Sequence, residues 1–309
     1  METTDYADYT DSNTERGLRE SAQSTKSVVK VLLGAVAGLL MLFSGVAWTA
    51  DLPPVFREPE QLVYDVTWMG IKAGQATLEM QGVMDFHGQR AVHLVTTAQT
   101  TPFVSKFYRV NDRSESYLGL DPLRALRFEK HLREGRYRHD SWTDFDHQGK
   151  IATFRYLDFS PVPEGISRLE DAERYGKYVT QEFSLAPGSL DEFSVLYYVR
   201  TLDLQVGKTL YAKVFASKKN WELEVRVLGR ETLDTIFGPR ETLVVEPLLK
   251  FGGIFQQKGK MTVWLTDDAE RIPVMMKSAV KVGSFVSTLV RRTVDPAMAH
   301  ADHAEEARP

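Results

Sequence analysis

Residues 221–228, WELEVRVL, decide the fold class of this chain. The apolar side chains of Trp221, Leu223, Val225 and Val227 alternate with Glu and Arg side chains. Neighbouring residues of a strand point to opposite faces of a sheet, so one face of this segment is dry and the other is wet. The segment therefore predicts a β-strand that lies on a core and faces water on its other side.

Similar short patterns occur along most of the chain. They lie at 62–69, 75–81, 91–100, 106–117, 125–132, 137–145, 150–157, 209–216, 242–245, 259–265 and 272–282. Turns that contain Gly or Asp separate many of these runs, and this spacing is typical of antiparallel sandwiches and barrels. We predict an all-β, mainly antiparallel protein, built as a curved sheet or an open half barrel.

One segment, 190–202, has helical rather than strand periodicity. Phe193, Leu196 and Tyr197 form an apolar stripe, and Ser189 with Glu192 fits a capping box at the start of the helix. We expect one short helix that covers an open end or face of the sheet.

The N-terminal region has the features of an export signal. Residues 31–43, VLLGAVAGLLMLF, are apolar, follow Lys26 and Lys30, and precede small residues that allow cleavage after Ala47. Residues 28–50 are also just long enough for an uncleaved membrane anchor. The acidic leader before them is unusual, and translation starting at Val28 or Val29 would explain it. We predict a periplasmic protein, either released or anchored in the inner membrane, with membrane contact only through this N-terminal segment.

These patterns divide the chain into five regions. They are a disordered polar leader (1–27), a signal peptide or anchor (28–47), a linker (48–60), a single large β domain (61–292) with a long loop (160–188), and a disordered tail (293–309).

Composition excludes several functions. The chain of 309 residues has a net charge of −4, so it lacks the basic excess that favours nucleic-acid binding. It contains no cysteine, which excludes disulfides, thiol nucleophiles and Cys-ligated metals. No nucleotide-binding, serine-hydrolase or H-E-x-x-H motif is present. We predict no cofactor and no catalytic residues.

Residues 264–276, WLTDDAERIPVMM, concentrate four charges between two apolar runs. Asp side chains accept hydrogen bonds from nearby backbone N–H groups and stabilise turns. Pro273 cannot donate to a strand ladder, so it belongs at a strand start, an edge or a bulge. We interpret Asp267, Asp268 and Glu270 as a charged turn rather than a catalytic or metal-binding cluster.

His131 and His139 flank a predicted hairpin whose turn we place at Glu134 and Gly135. In that register the two imidazoles face away from each other, whereas zinc needs three or four converging ligands. We predict no metal site, and a one-residue change of register is what would reopen the question.

The strand 136–146, RYRHDSWTDFD, mixes charges with aromatic rings, and alternation puts Tyr137 on one face and Trp142 on the other. Such a strand could line a groove for a sugar or a lipid headgroup; the alternative is a solvated strand with weak ion pairs. Asp140 and Asp144 lie about 13 Å apart along one strand, too far for a glycosidase pair.

Four stretches together resemble a known family. They are LVYDVTWMGIKAGQATLEM, LDEFSVLYYVRTLDLQVGK, RETLDTIFGPRETLVVEP and WLTDDAERIPVMMKSAVKVGSFVSTL, in an order and spacing similar to the bacterial domain of unknown function 3108. The resemblance covers about Leu62 to Leu289. It implies an exported protein of a Gram-negative envelope with a β fold similar to the open barrels of lipoprotein carriers. It brings no catalytic residues.

We therefore expect a non-catalytic envelope protein that binds an apolar or glycan ligand, or an envelope partner. The alternatives are a polysaccharide-processing enzyme and an assembly factor that docks through a sheet edge. Gly70 and Gly74 leave room for a pocket mouth beside Trp68. The expected ligand-binding residues are Trp68, Trp221, Tyr137, Trp142, Phe193 and Tyr197.

Overall fold

The computed structural model describes residues 52–158, 177–251, 254–255, 261–280 and 282–295. Strands dominate these residues, as the alternating patterns predict. The strands are β1 Glu60–Trp68, β2 Ile71–Phe86, β3 Gln89–Thr100, β4 Asn111–Leu120, β5 Leu123–Glu134, β6 Tyr137–Asp146, β7 Ile151–Asp158, β8 Lys177–Ser184, β9 Thr209–Ala216, β10 Lys219–Thr235, β11 Gly238–Phe251, β12 Ile254–Phe255, β13 Met261–Thr266, β14 Pro273–Ala279 and β15 Ser284–Val294.

All these strands belong to one antiparallel sheet. Its order is β8-β7-β6-β5-β4-β3-β2-β1-β15-β14-β13-β11-β10-β9, and β12 pairs with the end of β11. Most neighbours are consecutive in the chain; the β1–β15 pair joins the first and the last strand of the described residues. The sheet does not close, since β8 and β9 are its two edges. The prediction of an open, mainly antiparallel sheet is confirmed.

Alternation along each strand gives the sheet an inner and an outer face. Leu62, Tyr64 and Val66 of β1 are at most 1% exposed and lie in the core, while Asp65 between them lies on the other face and bonds to Lys72. The inner face follows from strand to strand through the register. Residues paired across two strands lie on the same face of the sheet. The cross-strand partners of these core residues therefore identify the inner face of each following strand.

Helix α1, Ser194–Arg200, packs against the core. It is shorter than the predicted segment 190–202, and the predicted capping box is wrong. Asp191 takes the capping role instead, because its Oδ1 accepts hydrogen bonds from the backbone N–H groups of Phe193 and Ser194, at 2.8 Å each. Ser189 instead donates its hydroxyl to the Ala186 carbonyl.

Side chains and backbone bridge the gap between the edges β8 and β9. Leu190 forms a parallel bridge to Val214 of β9, exchanging backbone hydrogen bonds with Lys213 and Phe215. Asn220 at the start of β10 donates to the Ser184 carbonyl at the end of β8, at 2.7 Å. The half barrel is thus held together by loop contacts rather than by a strand ladder.

Three predicted boundaries need correction. Strand β8 lies in the second half of the predicted loop 160–188, and its apolar pattern is weak because alternate side chains remain exposed. The predicted linker 48–60 includes a 3-10 helix, Pro54–Phe56, whose Val55 and Phe56 are buried in the core. Residues 293–294 of the predicted tail complete β15.

Other predicted regions fall outside the described residues: 1–47 with its cleavage site at Ala47, 159–176, and 296–309. Within the part of the chain that the structure describes, no helix is long and apolar enough to cross a membrane.

The two ends of the half barrel differ. We call mouth the end that carries the connections 69–70, 101–110, 135–136 and 217–218, together with residues 280, 282 and 283, and base the opposite end. The base is closed by buried polar contacts: Arg200 of α1 pairs with Glu60 of β1 at 2.5 Å, and its Nε donates to the Glu270 carbonyl. The Tyr64 hydroxyl donates to the Pro273 carbonyl nearby.

Candidate ligand-binding face

The inner face changes character from β1 to β8. One register row crosses the sheet through Leu62, Leu78, Thr96, Ser114, Lys130, Ser141, Tyr156 and Val179. Its first residues are fully buried and apolar, whereas Lys130 and Tyr156 are half-buried. The core therefore gives way to a partly open, polar and aromatic surface at β5–β8.

Four rings form a continuous line on this surface, which we call the aromatic strip: Tyr137, His139, Tyr156 and Phe154. Tyr137 stacks on His139 with centroids 6.0 Å apart, and His139 stacks on Tyr156 at 6.2 Å. Tyr156 and Phe154 follow at 5.6 Å. All four rings are half-buried, so part of each remains available to a ligand.

Lys218 crosses to the strip from the turn between β9 and β10. Its Nζ lies 4.7 Å from the Phe154 centroid and 5.4 Å from the Tyr156 centroid, within cation–π range. It also donates to Gln181 Oε1 at 3.0 Å. Ser217 and Lys218 have φ of 51° and 62°, which non-glycine residues adopt rarely. This two-residue turn holds the ammonium over the rings.

A second cation, Lys130, lies on the same face and pairs with Glu192 at 2.6 Å. Its charge affects the pKa of the neighbouring His139 imidazole. Burial, followed by repulsion from Lys130, lowers the pKa of His139 to about 4. His139 is therefore neutral at neutral pH and acts as a flat, weakly polar ring. The face as a whole offers ring surfaces beside cationic groups.

Such a surface suits an amphipathic ligand. Aromatic rings accept apolar chains or the flat faces of sugars, and an ammonium over the rings favours a nearby anionic group. Of the predicted ligand-binding residues, Tyr137 belongs to this strip.

Trp142, another predicted ligand-binding residue, lies on the outer face, opposite to Tyr137, as alternation along the strand predicts. Its ring contacts Tyr178 and His131, with centroids 5.8 Å and 5.9 Å away. The β5–β6 turn lies at Gly135 and Arg136, one residue later than predicted, because Glu134 pairs with Tyr137 and His131 with Asp140.

The shifted register pairs His131 with an acid. His131 Nδ1 lies 2.7 Å from Asp140 Oδ1, and Arg133 binds both oxygens of that carboxylate at 2.8 Å. Hydrogen bonds already occupy the carboxylate, and His139 stays on the opposite face. Among the residues that the structure describes, no group of three His, Cys, Asp or Glu side chains could hold a metal ion.

Phe193 and Tyr197, also predicted ligand-binding residues, are 1% and 0% exposed. Tyr197 stacks on Phe56 at 6.5 Å and meets Phe193 edge-on at 5.6 Å. Their role in this structure is core packing between helix α1 and the N-terminal 3-10 helix.

The two tryptophans of the predicted pocket are not neighbours in the sheet. Trp68 is 39% exposed at the mouth, stacks on Phe285 and donates to the Val282 carbonyl at 3.0 Å. Trp221 lies on β10, four strands beyond β15, which is the neighbour of the strand that carries Trp68. Its side chain is half-buried and donates to the Ala216 carbonyl at 2.8 Å. Trp221 follows the turn that carries Lys218, and its ring packs against the core, whereas Trp68 lies at the mouth beside the β14–β15 turn.

Gly74 does not serve to open a pocket. A Cβ atom at this position would lie 2.3 Å from the Gln99 carbonyl oxygen, so the approach of β3 requires a glycine there.

The acidic turn between β13 and β14 has the hydrogen bonds that its sequence predicts. Asp268 Oδ1 accepts hydrogen bonds from Thr266 Oγ1 and from the N–H groups of Glu270 and Arg271, at 2.8, 3.0 and 3.1 Å.

Sequence reasoning missed Phe154, Tyr156, Lys130 and Lys218 as members of one surface. The alternation Phe154–Tyr156 was a usable signal, since both residues share a face. No local signal marks Lys218, which reaches the strip from a hairpin 62 positions after Tyr156.

The fold and this face define a class: an open antiparallel half barrel with an aromatic, cationic inner surface at its mouth. Residues 63–290 match the family described as "Protein of unknown function (DUF3108)", and the chain belongs to that family. The resemblance seen in the four sequence stretches is thereby confirmed.

The chain is also similar to a solved structure, described as a beta-barrel-like protein of domain of unknown function DUF1849 from Brucella abortus. The two share 10% identity, with a TM-score of 0.49, and the similarity covers 77% of this chain and 98% of the other. No curated protein matches the chain.

Proposed function

We propose that this protein is an exported, non-catalytic binding protein of the cell envelope, which holds an amphipathic ligand on the aromatic strip. The observation that carries the proposal is the change along the inner face from a filled core to half-buried rings under Lys218. An apolar chain or a sugar face would lie on the rings, with any anionic group near Lys218.

The groups around the strip favour binding over catalysis. Glu192 is tied to Lys130 in an ion pair, and the pKa of His139 is lowered to about 4, mainly by burial, which makes it a poor base near neutral pH. Export is supported by the apolar segment 31–43 and its flanking lysines. The proposed compartment is the periplasm, which holds both lipid and glycan ligands.

A pair of tyrosine variants tests the site. Tyr156→Ala removes a ring from the inner face, whereas Tyr178→Ala removes a ring from the outer face of the next strand. We expect Tyr156→Ala to weaken binding of a fluorescent acyl chain or envelope glycan about tenfold or more, because burying a ring contributes about 1.5–3 kcal/mol. Tyr178→Ala should bind as the parent does.

A pair of lysine variants identifies the ligand class. Lys218→Gln removes the cation from the rings, and Lys219→Gln removes the adjacent, exposed cation. A carboxylate-bearing acyl ligand should lose affinity only in Lys218→Gln, while a neutral glycan should be insensitive to both. Native mass spectrometry of protein from its own periplasm would show the retained ligand. Equal binding by Tyr156→Ala, Tyr178→Ala and the parent would refute the site.

A further inference from the structure

The mouth carries exposed aromatic side chains in the connection between β3 and β4. Phe103 and Phe107 are 65% and 79% exposed, and their rings contact each other edge-on at 5.7 Å. The loop is anchored at both ends, since Thr101 N–H donates to the Ala73 carbonyl and Gly135 N–H donates to the Arg109 carbonyl. The fold therefore holds these two rings in water at a defined place.

Neighbouring turns extend the apolar surface. Met69 and Ile71 beside the β1–β2 turn are 62% and 61% exposed, and Val282 in the β14–β15 turn is 63% exposed. We call these residues, with Phe103 and Phe107, the mouth rim. Large apolar side chains gathered at one end of a protein mark an interaction surface, whereas single exposed ones need no explanation.

The charge near the aromatic loop is positive. Residues 101–110, TPFVSKFYRV, contain Lys106 and Arg109 and no acid, and Arg136 lies exposed in the adjoining turn. Burial, and then repulsion from Arg133 and Arg109, lowers the pKa of Arg138 beside this turn. Glu134, the nearest acid of this hairpin, is buried and meets the Tyr108 hydroxyl at 3.4 Å.

We propose that the mouth rim docks on an anionic lipid membrane, with Phe103 and Phe107 entering the headgroup region. Protruding aromatic side chains interleaved with Lys and Arg suit the membrane interface, where rings enter and cations meet lipid phosphates. A flat, uncharged apolar patch would suit a protein partner better. This inference does not depend on the aromatic strip, because the mouth rim and the strip lie on different strands and loops.

The absence of cysteine in the chain allows a local test in the full-length protein. Phe103→Cys and Phe107→Cys would each carry one polarity-sensitive fluorophore, and Ile236→Cys would carry it at an exposed apolar position of the base. With vesicles of phosphatidylcholine and phosphatidylglycerol, the probes at 103 and 107 should shift to the blue and resist a water-soluble quencher. The probe at 236 should stay aqueous, even if the N-terminal segment itself binds vesicles.

Charge variants give the second readout. Lys106→Gln with Arg109→Gln, in the Phe103→Cys background, should weaken the probe's vesicle partition about tenfold or more, since each cation near an anionic surface contributes roughly fivefold. Pure phosphatidylcholine should give a small shift only. An aqueous probe at both 103 and 107, or equal shifts at 103, 107 and 236, would overturn the membrane assignment and leave a protein as the occupant of the rim.

Discussion

At the residue scale, Asp268 shows how one side chain fixes a turn. Its Oδ1 accepts three hydrogen bonds, from Thr266, Glu270 and Arg271, and Arg271 has a φ of 50°. We expect Asp268→Ala to cost about 1 kcal/mol of unfolding free energy, since it leaves two turn N–H groups without this partner. Urea denaturation measures this cost, and ligand binding should be unchanged.

Asp203 supplies the control for that variant. Its side chain is 72% exposed and accepts hydrogen bonds from the side chains of Gln205 and Lys208. Asp203→Ala should leave the urea midpoint nearly unchanged. An Asp268→Ala protein that keeps parental stability but loses ligand binding would show that the turn is a site.

At the element scale, the β5–β6 hairpin carries a pH-dependent contribution to stability. Burial opposes protonation of His131, but contacts with Asp140 and Glu129 raise its pKa to about 9, from an ordinary value of 6.5. The stabilisation is complete below about pH 6.5 and is lost as the pH rises towards 9, because the unfolded chain releases this proton earlier. We expect His131→Gln to flatten the fall in urea midpoint between these pH values.

His139, on the other strand of the hairpin, makes stability depend on pH in the acidic range. Its pKa is about 4 in the folded protein, so its contribution to the free energy of unfolding is lost as the pH falls from 6.5 towards 4. His139→Gln should therefore leave the fall in urea midpoint between pH 6.5 and 9 unchanged. A His131→Gln protein with the parental alkaline slope would contradict the assignment.

Elements differ in how far sequence could predict them. Strong alternation gave most strands, but β8 keeps alternate side chains exposed and has a burial pattern without a buried residue, so its sequence resembled a loop. The cap of α1 was misplaced because Asp191 is fixed by Ser116, 75 positions earlier, through a 2.6 Å hydrogen bond. A local capping pattern carries no information about such a contact.

The same limit applies to the candidate site. Tyr137 and Trp142 were both predicted as ligand-binding residues because their strand mixes rings and charges, and alternation puts them on opposite faces. The strand pattern did not tell which of the two faces turns inward, and the structure has Trp142 on the outer face. The face that a strand turns inward depends on register, and the β5–β6 turn lies one residue from its predicted place. Lys218 joins the strip only through the curvature that brings β10 near β7 and β8.

At the scale of the whole molecule, a buried ion pair ties the base together. The side chains of Arg200 and Glu60 are 1% and 3% exposed, and Arg292 of β15 approaches the second Glu60 oxygen at 3.4 Å. We expect Arg200→Leu to cost about 3 kcal/mol, since it removes the closer partner of the buried Glu60 carboxylate and leaves it the longer contact with Arg292. Guanidinium denaturation measures the loss.

The matching double variant separates charge from packing. Arg200→Leu with Glu60→Leu should recover much of the lost stability, because two apolar side chains leave no buried carboxylate unpaired. Lys72→Leu, which breaks an exposed pair with Asp65, should change stability by about 0.5 kcal/mol or less. A double variant no more stable than Arg200→Leu alone would mean that shape, not charge, holds the base.

The β1–β15 pairing has a consequence for folding kinetics. Hairpins such as β2–β3 or β5–β6 can form as soon as their own residues are available, whereas β1 meets β15 only when Glu60 can reach Val294. Closing so long a loop is slow, and pairing of distant segments lowers folding rates. We therefore expect the β1–β15 pairing to form last during folding. A chain interrupted before Ser284 would present β1 and β14 as bare strand edges, the kind of surface on which nascent chains aggregate.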